Sequence, residues 1–156
     1  MAKNKKYYTP LVIILALIVI LAIVLSIKTK ESSQSGQQTQ RERALGIKTL
    51  PTDQIPPGLP GNLPLEPKAQ VLQNAELNST SSSQSIRVYI SSQSIDQDLS
   101  SYQAYFSQNG WTLNTRETIN LPNLKKLLAK KDNQTMEVTI AKDSKGQVTV
   151  NVTVSK

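Results

Sequence analysis

The chain of 156 residues contains no cysteine and no histidine, and only 4% of its residues are aromatic. Without cysteine there is no disulfide bond, no lipid-modified cysteine anchor and no thiol nucleophile. Histidine is the usual general base near neutral pH, and histidine and cysteine together are the commonest ligands of transition metals. We therefore expect a protein that is not an enzyme, holds no metal or cofactor, and is stabilised by packing alone.

Motifs that mark catalytic or nucleotide-binding sites are also missing. The sequence has no P-loop, dinucleotide fingerprint, nucleophile elbow or calcium-binding loop. Asp96 and Asp98 are the closest approach to a pair of acidic groups, but residues two apart on a helix do not face each other. Both fit the first turn of a helix, where the helix dipole favours negative charge. The sequence therefore assigns no catalytic residue and no small-molecule substrate.

One long apolar run stands near the start of the chain. Residues 11–27 are Leu, Ile, Val and Ala, interrupted only by Ser26. Extended back to Tyr7, the run spans about 31 Å as a helix, the thickness of a bilayer core. Tyr7 and Tyr8 suit the headgroup interface, and Pro10 suits the first turn of a helix. The pattern predicts one transmembrane helix over residues 11–27.

The orientation follows from the flanks of this helix. Residues 1–10 are short and carry Lys3, Lys5 and Lys6, so we expect this stub in the cytoplasm and the rest of the chain outside. A cleaved signal peptide is the alternative, but the apolar run is longer than such a segment needs and lacks an A-x-A-like site. We therefore predict a single-pass protein of the cell membrane with an uncleaved signal anchor.

Residues 28–67 read as a linker. Residues 31–40 are Glu31 followed by Ser, Gln, Gly and Thr, with nothing apolar to bury, which favours a flexible coil. Residues 50–67 hold six of the eight prolines, which favours an extended spacer of about 56 Å. A ligand for proline-recognising domains is the alternative for this stretch. Residues 41–50 mix charged and apolar residues and leave a short helix or a docking strand open.

From residue 68 onward apolar residues recur with a period of two, which is typical of strands buried on one face. Residues 142–146 supply a polar turn that predicts a hairpin between the last two strands. Shorter strands are expected at 71–77 and 111–115. The residues expected to line one core are Ile86, Val88, Ile90, Met136, Val138, Ile140, Val148, Val150, Val152 and Val154.

A helix interrupts the strands. Ser94 and Gln97 form a capping box, and Asn109 with Gly110 supplies a stop. Its apolar stripe needs a sheet to cover, so residues 68–156 are predicted to be an extracytoplasmic α+β domain, a small antiparallel sheet covered by one amphipathic helix. The stripe consists of Ile95, Leu99, Tyr102 and Phe106.

Two smaller features leave alternatives open. The leucines of residues 121–128 fit a short helix, but we expect a strand over 125–131, paired with 135–141, because Asp132 and Asn133 read as a hairpin turn. Trp111 follows the helix stop directly. We expect it to fill the core beneath the helix, with ligand stacking as the alternative.

The order of these motifs resembles a known kind of domain. Pro67-x-Ala69-x-Val71 and Arg87-Val88-Tyr89-Ile90 precede Tyr102-x-x-Tyr105-Phe106, which leads into Asn109-Gly110-Trp111 and paired Thr/Val strands. This order is similar to small α+β domains of bacterial membrane-anchored and lipoprotein-type envelope proteins, over residues 67–156. The resemblance implies a bacterial envelope protein and no particular activity.

Basic residues provide the one candidate binding cluster. They could present a cationic face to a polyanion such as DNA or an anionic wall polymer, or simply keep a sheet edge soluble. We expect a membrane-anchored, non-catalytic binding or scaffolding protein whose partners are the bilayer and other envelope proteins. The alternative is a polyanion-binding surface receptor subunit. The candidate residues are Lys125, Lys126, Lys130, Lys131, Arg87 and Arg116.

Overall fold

The computed structural model describes residues 46–66, 69–79 and 82–156. The predicted cytoplasmic stub, the transmembrane helix at 11–27 and the linker residues 28–45 lie outside these ranges. Among the described residues no helix is long and apolar enough to cross a bilayer.

The described residues form one antiparallel sheet and one α-helix. The sheet has the strand order β1-β2-β3-β8-β7-β6-β4, and β5 pairs with β6 beside β4. The helix, α1, carries the chain from β3 in the middle of the sheet to β4 at its edge. In chain order the elements are β1 (Ile47–Leu50), β2 (Gln70–Asn78), β3 (Ser83–Ser91), α1 (Ile95–Gln108), β4 (Thr112–Leu113), a 3-10 turn (Thr115–Glu117), β5 (Ile119–Leu121), β6 (Leu124–Lys131), β7 (Gln134–Lys142) and β8 (Val148–Ser155).

The α+β class and the single helix over an antiparallel sheet are confirmed. The Ser94 hydroxyl accepts a hydrogen bond from the Gln97 amide, and the Gln97 side chain accepts one from the Ser94 amide. These two bonds satisfy free amides at the helix start. Gly110 follows the last turn with φ +73°, a left-handed backbone that ends the helix.

The predicted strands at the C-terminal end are also confirmed. β6 pairs with β7, and β7 pairs with β8, both antiparallel. In the β7–β8 turn the Asp143 carboxylate accepts hydrogen bonds from the amides of Lys145 and Gln147. The strand expected at 111–115 is shorter, because only Thr112–Leu113 pairs with β6 before the chain forms the 3-10 turn.

The core lies between α1 and one face of the sheet. Trp111 is 6% exposed and its ring lies 6.2 Å from that of Phe106, which confirms the core interpretation. Leu99 packs at the margin of the core. The sheet supplies Tyr89, Leu127, Ala129, Met136, Val138, Ile140, Val148, Val150, Val152 and Val154, and the helix supplies Ile95, Tyr102, Tyr105 and Phe106.

The expected core side of β3 is wrong. Tyr89 stands opposite Val150, so it shares the helix-covered face, whereas Val88 stands opposite Asn151 on the other face. Ile86 and Ile90 lie on that other face as well. Both rows of β3 contain large residues, and both Tyr89 and Val88 are buried. The alternation of residues therefore identifies β3 as a strand, but it does not show which of the two sets of alternate side chains faces the helix.

The proline-rich stretch is not an extended spacer. Residues 51–66, which we name the strap, lie on the helix-covered face of the sheet, with Leu59 and Leu63 buried in the core and Pro56 fully buried. Asn74 donates hydrogen bonds to the carbonyls of Pro51 and Gln54. Its prolines prevent the strap from forming a helix or pairing as a strand. They do not prevent its burial, because side chains from the sheet form the hydrogen bonds that its backbone carbonyls need.

The strap follows an edge strand of the same sheet. β1 pairs antiparallel with β2, so the docking-strand alternative for residues 41–50 is correct at 47–50. Residues 41–45 lie outside the described ranges. The linker boundary predicted at residue 67 is therefore misplaced, because residues 46–66 are part of the fold.

Candidate functional site

The face of the sheet opposite α1 and the strap carries no helix among the described residues. We name it the open face. Register defines its members, because residues paired directly across strands point to the same side. They include Ala75, Leu77, Ile86, Val88, Ile90, Lys126, Leu128, Lys130, Thr135, Glu137, Thr139, Thr149, Asn151 and Thr153.

The centre of the open face is polar. On β7 and β8 its residues are partly exposed, and Thr139 stands opposite Asn151. Ile86 and Val88 on β3 are buried beside them. Lys126 and Glu137 form an ion pair with 2.9 Å between Nζ and Oε2. The open face thus combines hydroxyl, amide and charged groups with a neighbouring apolar strip.

The candidate basic residues do not share one surface. Side chains alternate along β6, so Lys126 and Lys130 lie on the open face, whereas Lys125 and Lys131 lie on the helix side. Arg116 is exposed on the 3-10 turn. Two consecutive lysines on a strand point to opposite faces of the sheet. Once residues 125–131 are predicted to be a strand, this separation follows from the sequence.

Two of the cations are buried in structural roles. Lys125 is 7% exposed, and its Nζ lies 3.2 Å from the Asp96 carboxylate while donating to Asn120 Oδ1. Arg87 lies under the strap and donates to Asn74 Oδ1 and to the Gln54 carbonyl. Burial lowers the pKa of Arg87 from its usual value. Neither residue is available to a polyanion.

A polar cluster that sequence reasoning missed lies where the strap meets α1. Glu66 accepts hydrogen bonds from the Ser91 hydroxyl, from the hydroxyl and amide of Ser92, and from the Gln93 amide. These bonds, first of all those from Ser91 and Ser92, lower the pKa of Glu66. The sequence held no signal for this contact, because Glu66 is 25 residues from Ser91.

Asp98 belongs to the same cluster. It was expected to serve the positive end of the helix, but it is only 3% exposed and its Oδ2 has no hydrogen-bond partner. Burial, and secondarily the Glu66 carboxylate, raise the pKa of Asp98 against the opposing effect of Ser91. Asp96, by contrast, is exposed and paired with Lys125.

The described residues offer little that would support catalysis. They contain no group of three or more acidic residues that could hold a metal ion. The recess beside the start of α1 is a shallow polar hollow lined by Gln93, Asp96 and Gln97. A second recess near the strap is lined by Glu76, Lys156, Ser83 and Ser85 together with Gly58 and apolar residues. In the described part of the chain, no serine of either recess is hydrogen-bonded to a carboxylate or to an amine that could act as its base.

Comparison of the chain with protein-family models, with curated proteins and with solved structures finds no match.

Proposed function

We propose that the folded domain is a non-catalytic binding or scaffolding module of the cell envelope, and that it contacts another envelope protein through the open face. The observation that carries this proposal is the asymmetry of the sheet. One face is closed by α1 and the strap, whereas no helix covers the other within the described residues. The described part of the domain thus has one broad surface that its own helix does not use.

The composition of the open face suits a protein partner. Threonine hydroxyls and the Asn151 amide can both donate and accept hydrogen bonds, and the Lys126–Glu137 pair adds charge of both signs. Leu77 and Ile90, which are partly exposed, supply adjoining apolar area. Protein interfaces combine polar and apolar groups in this manner, without needing a deep pocket.

Attachment to the membrane rests on the sequence of residues 11–27. We propose that this segment anchors the chain and that the folded domain lies outside the cytoplasm. Protease added to intact cells should then remove the domain from the full chain. If the domain were cut only after the cells are lysed, it would lie in the cytoplasm and the proposed orientation would be wrong.

Site-specific cross-linking tests the open face. A photoreactive amino acid at Thr139 or Thr153 should join the full chain to one defined protein in intact cells. The same group at Gln103 or Gln108, which are exposed on α1, should not. The variants T139R and T153R should lose the partner while keeping the thermal unfolding midpoint of the parent. Cross-links that form equally from α1 would contradict the proposal.

A polyanion receptor is the second candidate, with fewer residues than expected. Lys130, Lys131 and Arg116 are exposed, and Lys130 and Lys131 project from opposite faces at the end of β6. We propose binding of an anionic polymer there only if retention on DNA or wall polymer falls steeply with salt. The triple variant K130Q/K131Q/R116Q should then lose retention. No retention at low salt would dismiss this candidate.

A further inference from the structure

The end of the strap is fastened to the start of α1 by one carboxylate. Glu66 takes hydrogen bonds from Ser91, Ser92 and Gln93, which link β3 to the helix. A carboxylate that accepts several hydrogen bonds holds its neighbours more firmly than a neutral acceptor does. We name this contact the latch. While it is closed, the C-terminal end of the strap cannot leave the sheet.

A second carboxylate, that of Asp98, lies beside the latch in surroundings that disfavour a negative charge. Asp98 is 3% exposed, and its Oδ2 receives no hydrogen bond. The Ser91 hydroxyl has one proton, which it donates to Glu66. Ser91 therefore cannot also donate to Asp98 while the latch is closed. An ionised Asp98 is thus a buried anion with an unsatisfied oxygen, next to another anion.

The groups around Asp98 do not compensate for this charge. On β3 it faces Tyr89 and Ser91, on its own helix Tyr102, and from the strap Glu66. Arg87 also acts on the two tyrosines, but it makes no salt bridge to Asp98 within the described residues. Lys125 of β6 pairs with Asp96 instead.

We propose that Asp98 makes the latch sensitive to pH, so that the strap is held firmly when Asp98 is protonated and opens more often when Asp98 is ionised. A protonated Asp98 is neutral and carries a hydrogen that the Ser91 oxygen can accept. In that arrangement the Ser91 hydroxyl still donates its own hydrogen bond to Glu66. Because Asp98 is neutral, the repulsion between the two carboxylates is also removed. Ionisation reverses both effects.

The sign agrees with the titration behaviour of the two groups. Burial raises the pKa of Asp98, so its contribution to stability is complete below the ordinary aspartate value and is lost as pH rises through the folded pKa. The pKa of Glu66 is lowered, so Glu66 keeps its charge to lower pH than an ordinary glutamate. The latch should therefore loosen as pH rises from the ordinary aspartate pKa to the raised folded pKa of Asp98.

Hydrogen exchange of the full chain in detergent micelles tests this proposal. The measured quantity is the opening of the strap in a series from about pH 3.5 to about pH 7.5, corrected for the intrinsic rate, because the effect begins near the ordinary aspartate pKa of about 3.9 and is complete above the folded pKa. Between these two pKa values, opening should increase by about tenfold for each unit by which the folded pKa is raised. The parent chain should lose protection in the strap before it loses protection in β7 and β8.

Three variants separate the role of Asp98 from general stability. D98N should keep the strap closed throughout the pH series, and D132N, which alters an exposed aspartate in the turn between β6 and β7, should behave like the parent. E66Q, which removes the charge opposite Asp98, should open more often but with a smaller pH dependence. Full pH dependence in D98N would overturn the proposal, as would a parent strap whose opening does not change with pH.

Discussion

The hydroxyl groups of Tyr89 and Tyr102 lie 3.1 Å apart and form a hydrogen bond inside the core. Tyr89 is 1% exposed and Tyr102 is 0% exposed. The bond joins the C-terminal part of β3 to the middle of α1, so it fixes how the helix packs on the sheet. Because both partners are buried, neither hydroxyl can turn to water if the other is removed.

Removing both hydroxyls should therefore cost less than the sum of the costs of removing each one alone. Y89F or Y102F alone leaves a buried polar group unpaired, which lowers the free energy of unfolding by about 1–3 kcal/mol. The double variant Y89F/Y102F should lose less than the sum of the two single losses. Denaturant unfolding of all four proteins measures this coupling. Strictly additive losses would show that the bond contributes nothing.

Alkaline pH should unfold the domain through the same pair. Burial raises the pKa of both tyrosines above the ordinary value, so their neutral forms are favoured in the folded state. Their contribution to stability is present below the unfolded pKa of about 10 and is lost as pH rises beyond it. The free energy of unfolding of Y89F/Y102F should fall less steeply than that of the parent above about pH 10. Equal slopes would contradict the assignment.

Gly58 of the strap leaves no room for a larger side chain. A Cβ at this position would lie 2.3 Å from the Ser85 hydroxyl oxygen, to which the Gly58 amide also donates a hydrogen bond. G58A should therefore lower the free energy of unfolding by about 1–3 kcal/mol through overpacking. Gly61 is the matched control, because a Cβ there meets nothing within 4 Å. Equal effects of G58A and G61A on thermal unfolding would argue that the strap is loosely held.

Trp111 provides a spectroscopic check of the core. It is the only tryptophan of the chain and is 6% exposed against Phe106. Its fluorescence should be blue-shifted in the folded protein and insensitive to a soluble quencher, because water and quencher cannot reach the ring. Unfolding should shift the emission to the red. Red-shifted, quenchable emission from the folded protein would place the ring at the surface instead.

The parts of the fold that depend on local chemistry were predictable from the sequence. The capping box at Ser94, the stop at Gly110 and the turn between β7 and β8 each act within a few residues. The alternation of valine and threonine identified β8 for the same reason.

Contacts between distant residues were not predictable. Arg87 and Lys125 look like surface cations in sequence, yet both are buried in the fold by segments remote from them. Prolines favour an extended chain, but nothing in the composition of the strap shows that Asn74 would satisfy its carbonyls. The candidate basic residues of β6 are divided between two surfaces for a simpler reason, because adjacent strand residues point to opposite faces.

The central claim is that the strap and β1 are part of the folded domain. The most direct test compares the thermal unfolding of a protein covering residues 46–156 with that of one covering 69–156. Loss of buried Leu59 and Leu63 alone removes about 1.5–3 kcal/mol each, and β2 becomes an unprotected edge. We predict that the shorter protein is unfolded or melts at a much lower temperature. Equal melting temperatures would contradict the claim and return the proline-rich segment to the role of a spacer.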